Sequence, residues 1–151
     1  MGIYAPWTAI ALGLGILLVA LPLYLLEVGL SLTATSVVLA AAGFGAFAGA
    51  LPGGGAIARF GERTTIAISL VLAAVAIGLT TTSSDPVALT GLQLAVGAAA
   101  TAMRLGALTT ITRTVPALAR GRANSLLGGI RRFGSFLGPL AGGFLVDQIG
   151  F

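Results

Sequence analysis

The chain has no cysteine, no histidine and no lysine, and only 8% of its 151 residues are charged. Ordinary soluble domains are about 25% charged. Without cysteine there is no disulfide and no thiol nucleophile. Without histidine as well there is no Cys/His zinc site, no Ser-His catalytic system and no histidine pH switch. The redox compartment leaves no trace in such a sequence. Eight arginines and four acids cannot clothe a water-soluble fold of this size, since 57% of the residues are hydrophobic. Mean hydropathy is +1.07. These figures place the chain in a bilayer. What it has in excess is glycine, 23 residues, as is common where helices pack closely in lipid.

A net charge of +4 and a pI near 11.2 do not point to nucleic acid, because the arginines are few and separated by long apolar runs. Residues 1–26 carry no charge, and uncharged runs follow at 28–58, 64–84 and 86–103. A final run, 123–146, is interrupted only by Arg131 and Arg132. About 20 helical residues cross the hydrocarbon slab, and lipid tolerates no open strand. The expected fold class is therefore all-α, a polytopic transmembrane helix bundle forming one domain over 1–151. Five spans are predicted, at about 6–27, 34–57, 64–83, 87–111 and 123–147. Were the last to start after Arg132, only 14 residues would precede Asp147, so the arginine pair belongs on the helix.

The connections alternate in charge. Arg59 and Arg63 follow span 2, and Arg113, Arg120 and Arg122 follow span 4. The links after spans 1, 3 and 5 carry Glu27, Asp85 and Asp147. The positive-inside rule puts the arginine links and the N-terminus in the cytoplasm. The first apolar run is too long, and lacks the basic flank, for a cleaved signal peptide. The expected location is the plasma membrane, multi-pass.

Gly45, Gly49 and Gly53 form a four-residue ladder in span 2, and Ala98, Ala102 and Gly106 form another in span 4. Such ladders let helix backbones approach. Gly53, Gly54 and Gly55 lack the Gly-Lys-Ser/Thr of a phosphate loop, and no glycine pair follows a strand as a dinucleotide site requires. In span 5, Asn124, Gly128, Arg131, Ser135, Gly138 and Gly142 define one helical stripe. Pro139 should bend that helix. Gln93, Gly97, Ala100 and Arg104 form a thinner stripe in span 4. Polar stripes of this kind are expected to face protein or water.

Two segments resemble the major facilitator superfamily of secondary transporters. Residues 54–63 resemble the loop signature G-x-x-x-D-R-x-G-R-R between helices 2 and 3. Gly54, Arg59, Gly61 and Arg63 match it, whereas Ala58 stands for the usual Asp and Glu62 for a usual basic residue. Residues 134–143 match G-x-x-x-G-P-x-x-G-G, a helix 5 motif associated with drug antiporters, through Gly134, Gly138, Pro139, Gly142 and Gly143. The segment Arg120 to Ser125 fits the start of helix 5. The helix 4 signature is weak, with Gln93 where the family has Arg. The resemblance runs from helix 1 through helix 5, and the chain stops at Phe151, where the family's sixth helix begins.

The resemblance implies alternating access around a midplane site between two six-helix halves. This chain is then expected to be an N-terminal portion whose partners are the bilayer, a small-molecule solute, and helix 6 with the C-terminal half or another membrane chain. Nucleic acid is not among the partners. No enzyme activity, metal or cofactor is expected. The expected function is secondary transport, with drug or metabolite efflux preferred. The competing expectation is a short, non-transporting module that acts through helix association.

The candidate substrate-binding residues are Gln93, Arg104, Asn124 and Arg131. Arg104 lies 19 residues from Asp85, about 28 Å along a helix, and Arg131 lies 16 from Asp147, about 24 Å. Both fall near the inner boundary. They snorkel to headgroups, pair with helix ends or loop acids, or form a positive vestibule for an anionic group. All four acids lie at span ends or in links, with Glu27 the nearest to a coupling carboxylate.

Overall fold

In lipid the backbone must satisfy itself, and the computed structural model is helical throughout its described elements. It describes residues 4–149, with side-chain surroundings given for residue 8 and for 11–144 except 142. In order, the helices are α1 (Tyr4–Glu27), α2 (Leu32–Ala48), α3 (Ala50–Phe60), α4 (Glu62–Thr80), α5 (Pro86–Thr114) and α6 (Ala117–Ile149).

Local chemistry sets the boundaries. Gly29 takes φ +90° after α1, a conformation that glycine adopts without strain. Ser31 caps α2, its hydroxyl oxygen accepting from the Ala34 N–H at 3.2 Å. Gly61, at φ +81°, is the single residue between α3 and α4. The Asp85 carboxylate accepts from the Ala88 N–H at 3.0 Å, and Pro86 occupies the first helical position, where a missing N–H is harmless.

Glu62–Thr80 and Pro86–Thr114 are each long and apolar enough to cross a membrane. A third span results if α2 and α3, bent by 46°, count as one. The apolar part of α1 among the described residues, Ala11–Glu27, is shorter. Among its described residues α6, which carries Arg131 and Arg132, does not qualify. Helices occupy all five expected places, and among the described residues two of them, or three if the bent pair counts as one, pass on length and composition. The expected single span at 34–57 is corrected to a broken one. Pro52 lacks an amide to bond back one turn, and the chain turns at Gly49. Pro139 produces no such break, and α6 is continuous through it.

The described contacts divide the chain into two compact units, 30–114 and the pair formed by 1–29 with 115–151. In the first, α5 is the central element and touches α2, α3 and α4. Gly45 meets the backbone of Leu94, Gly49 that of Ala98, and Gly53 the Ala102 side chain, while Gly97 meets the backbone of Ala42 and Ala46. The two small-residue ladders are thus two sides of one seam, and the ascending register makes α2–α3 parallel to α5. α4 runs antiparallel, with Gly106 against Ile66 and the Glu62 carbonyl.

In the second unit α1 packs on α6. Gly15 meets Gly134 and Gly138, and Gly134 meets Ala11. That pair is also parallel. At these glycines a Cβ would collide with backbone, which no rotamer change relieves.

Gly97→Ala should destabilise the chain by about 1–3 kcal/mol. Gly43→Ala, where nothing lies within 4 Å, should be neutral or stabilising by up to about 1 kcal/mol. Unfolding in mixed detergent micelles, followed by circular dichroism, separates the two. Equal effects would contradict the seam.

Candidate functional site

α5 carries the first pair of candidates. Gln93 is 1% exposed, locked in the core of its unit, and its amide Nε2 has no hydrogen-bond partner among the described residues. Arg104, three turns along, is exposed. The expected polar stripe is therefore split, because its first part is buried by the neighbouring helices. Thr35 on α2, 5% exposed, is likewise buried with an unpartnered Oγ1. Thr80 on α4, 3% exposed, donates to the Ala76 carbonyl at 2.9 Å. Thr35 and Thr80 were not singled out from sequence. Thr35 continues the buried face Val38, Ala41, Gly45 of α2, and that spacing was the available signal.

α6 carries the second pair. Asn124, Gly128, Arg131 and Ser135 are exposed, whereas Ala123, Leu127, Gly134 and Gly138 are buried. At about 100° per residue, the polar face lies about 80° round the helix from the seam with α1. The expected single stripe is corrected to two adjacent ones, with Gly138 on the packed side. Arg131, Arg132, Ser135 and Phe136 line an open groove on this polar face. The Ser135 hydroxyl donates to the Arg131 carbonyl at 3.0 Å.

The loop-motif residues gather at the end of the α3–α5 group. Gly54 is exposed with nothing within 4 Å of a Cβ position. The Arg59 guanidinium lies 5.3 Å from the centroid of Phe60. Arg63 is exposed in the first turn of α4. Glu62 does not compensate either of them. Its Oε2 accepts from Arg113 Nη1 at 3.0 Å, the only ion pair among the described residues. With side chains 65% and 18% exposed, the pair is worth at most about 1 kcal/mol. It also places an acid at the start of α4 and a base at the end of α5, as the helix dipoles favour. Arg59, Arg63 and Arg113 therefore share one end of this unit, with Asp85 at the other.

Of the helix 5 motif, Gly134 and Gly138 form the α1 seam, Pro139 is half-buried and Gly143 has nothing within 4 Å. The surroundings of Gly142 and Asp147 lie outside the described residues. Arg120 Nε donates to the Val115 carbonyl at 3.0 Å, holding the first turns of α6.

The sequence model of the Major Facilitator Superfamily matches residues 8–151. The chain belongs to the Major Facilitator Superfamily. No curated protein matches it. Members of this superfamily are membrane transporters rather than enzymes, and the match covers α5 and α6 and both motif segments. The buried, unpartnered Gln93 of this superfamily chain is then a polar group whose place in the fold is not justified by packing.

Gln93→Leu should leave stability unchanged or raise it, since the unpaired amide costs about 1–3 kcal/mol. Thermal unfolding in detergent checks this. A marked fall in melting temperature would mean that the amide is bonded in the folded protein.

Proposed function

We propose that the chain is the five-span N-terminal part of a secondary active transporter that moves a small solute by alternating access, with drug or metabolite efflux preferred. The N-terminus lies in the cytoplasm and the transporter in the plasma membrane. Asn124 and Arg131 of α6 supply a polar wall of the pathway, and Arg104, exposed on α5, is a separate candidate contact for the solute. Further helices, from a second half or another membrane chain, supply the rest.

The observation that carries this reading is the exposed polar face of α6. Arg131 emerges from a helix whose neighbouring face is sealed on α1 by glycines. A guanidinium facing hydrocarbon is costly, so such a face borders water or protein. A positive charge there attracts the anionic group of a solute. The efflux preference rests on the Gly134 to Gly143 motif, and the orientation on the arginine-rich end of the α3–α5 group.

In the intact transporter, Arg131→Ala should lower flux of an anionic solute at least 10-fold at unchanged membrane abundance. Flux measured in cells or proteoliposomes decides it. Undiminished flux removes Arg131 from the pathway.

A further inference from the structure

The bend between α2 and α3 leaves a groove on the unit built around α5. Its volume is about 240 Å³. Gly49, Gly53, Ala98 and Ala102 line it on the side of the seam, and Ile68 and Leu72 on the side of α4. Along one side of it α3 and α5 are in close contact, Gly49 against Ala98 and Gly53 against Ala102. Its lining is almost wholly apolar. Of the hydroxyls along it, that of Thr65 already donates to the Gly61 carbonyl at 2.8 Å.

The groove ends at charge. Phe60 is itself part of the lining, and its ring carries the Arg59 guanidinium at 5.3 Å. Arg63 is exposed at the same end of the unit, but it lies round α4 from the face that Thr65, Ile68, Ser69 and Leu72 turn to the groove. Neither arginine has an acid partner among the described residues, because Glu62 is engaged by Arg113. An apolar slot with an uncompensated guanidinium group at its end fits an amphiphile with one anionic headgroup. We infer that this groove binds an anionic phospholipid, one acyl chain lying between α3 and α4 and the phosphate meeting Arg59. Guanidinium groups suit phosphate oxygens geometrically. A zwitterionic lipid gains less, since its own cationic group offsets the phosphate charge that the guanidinium attracts. The inference requires the membrane setting but not the transport reading.

Native mass spectrometry of the full chain in detergent tests it, with phosphatidylglycerol and phosphatidylcholine of identical acyl chains as probes. Phosphatidylglycerol should form a saturable one-lipid adduct at concentrations where phosphatidylcholine forms none. Arg59→Gln should weaken it about 5-fold, and Arg120→Gln with Arg122→Gln should leave it unchanged. Ala56→Phe, which fills the groove without altering charge, should also weaken it, and free glycerol phosphate should not compete. Helix content by circular dichroism confirms that each variant is folded. Equal binding of the two lipids overturns the proposal, as does equal loss from the Arg120/Arg122 pair. Indifference to Ala56→Phe, or competition by glycerol phosphate, would reduce the site to a headgroup contact and overturn the acyl-chain assignment. A chain dimer abolished by Ala56→Phe and resistant to phosphatidylglycerol would instead assign the groove to a second copy.

Discussion

Backbone contact at glycine is the constraint on which the described structure depends. In lipid, apolar side chains gain little from burial against one another, because the solvent is as apolar as they are. Helices associate where they can approach closely enough for dispersion and backbone contacts to add up. Gly45 against Leu94, Gly97 against Ala42, and Gly15 against Gly134 and Gly138 are such approaches. Each pairs helices that are not neighbours in sequence and run parallel. Parallel pairing requires an intervening element to return the chain across the membrane. α4 does this within the unit of residues 30–114, lying antiparallel on α5.

The remaining features are arranged around these seams. Small residues draw α5 into the middle of its unit, which buries Gln93 and Thr35. The break at Gly49 turns α3, and the groove lies beside it. At the end of this unit the arginines divide into two kinds. Arg113 is neutralised by Glu62, while Arg59 and Arg63 remain available to solvent, headgroups or anionic ligands. On α6 the seam and the polar face are separate strips, so the helix packs on α1 without hiding Arg131.

Much of this was legible in the residues. Apolar runs gave the helices, glycine spacing gave the faces that pack, and the alternation of arginine with acid gave the two ends of the unit around α5. The family was legible from Gly134 to Gly143 and from Arg59, Gly61 and Arg63. Other features were not. A ladder announces a close approach but not its partner, so the pairing of Gly45 with α5 needed coordinates. The 46° break was hidden because Gly49 and Pro52 sit inside an apolar, glycine-rich run that reads as one span. Gln93 and Arg104 share a helical face, yet neighbouring helices cover only part of its length, and periodicity carries no information on where cover ends. The Glu62–Arg113 pair joins residues 51 apart, beyond any local pattern.

The parallel register of α2 and α5 is the most direct consequence of the glycine seam. A chain without cysteine allows a clean cross-linking measurement in membranes. Val37 and Thr90 line one small depression between these helices. A short bis-maleimide should therefore bridge a Val37→Cys, Thr90→Cys variant within one chain, while Val37→Cys with Thr109→Cys should give no bridge. Efficient bridging of 37 to 109, with none to 90, would contradict the seam and the account built on it.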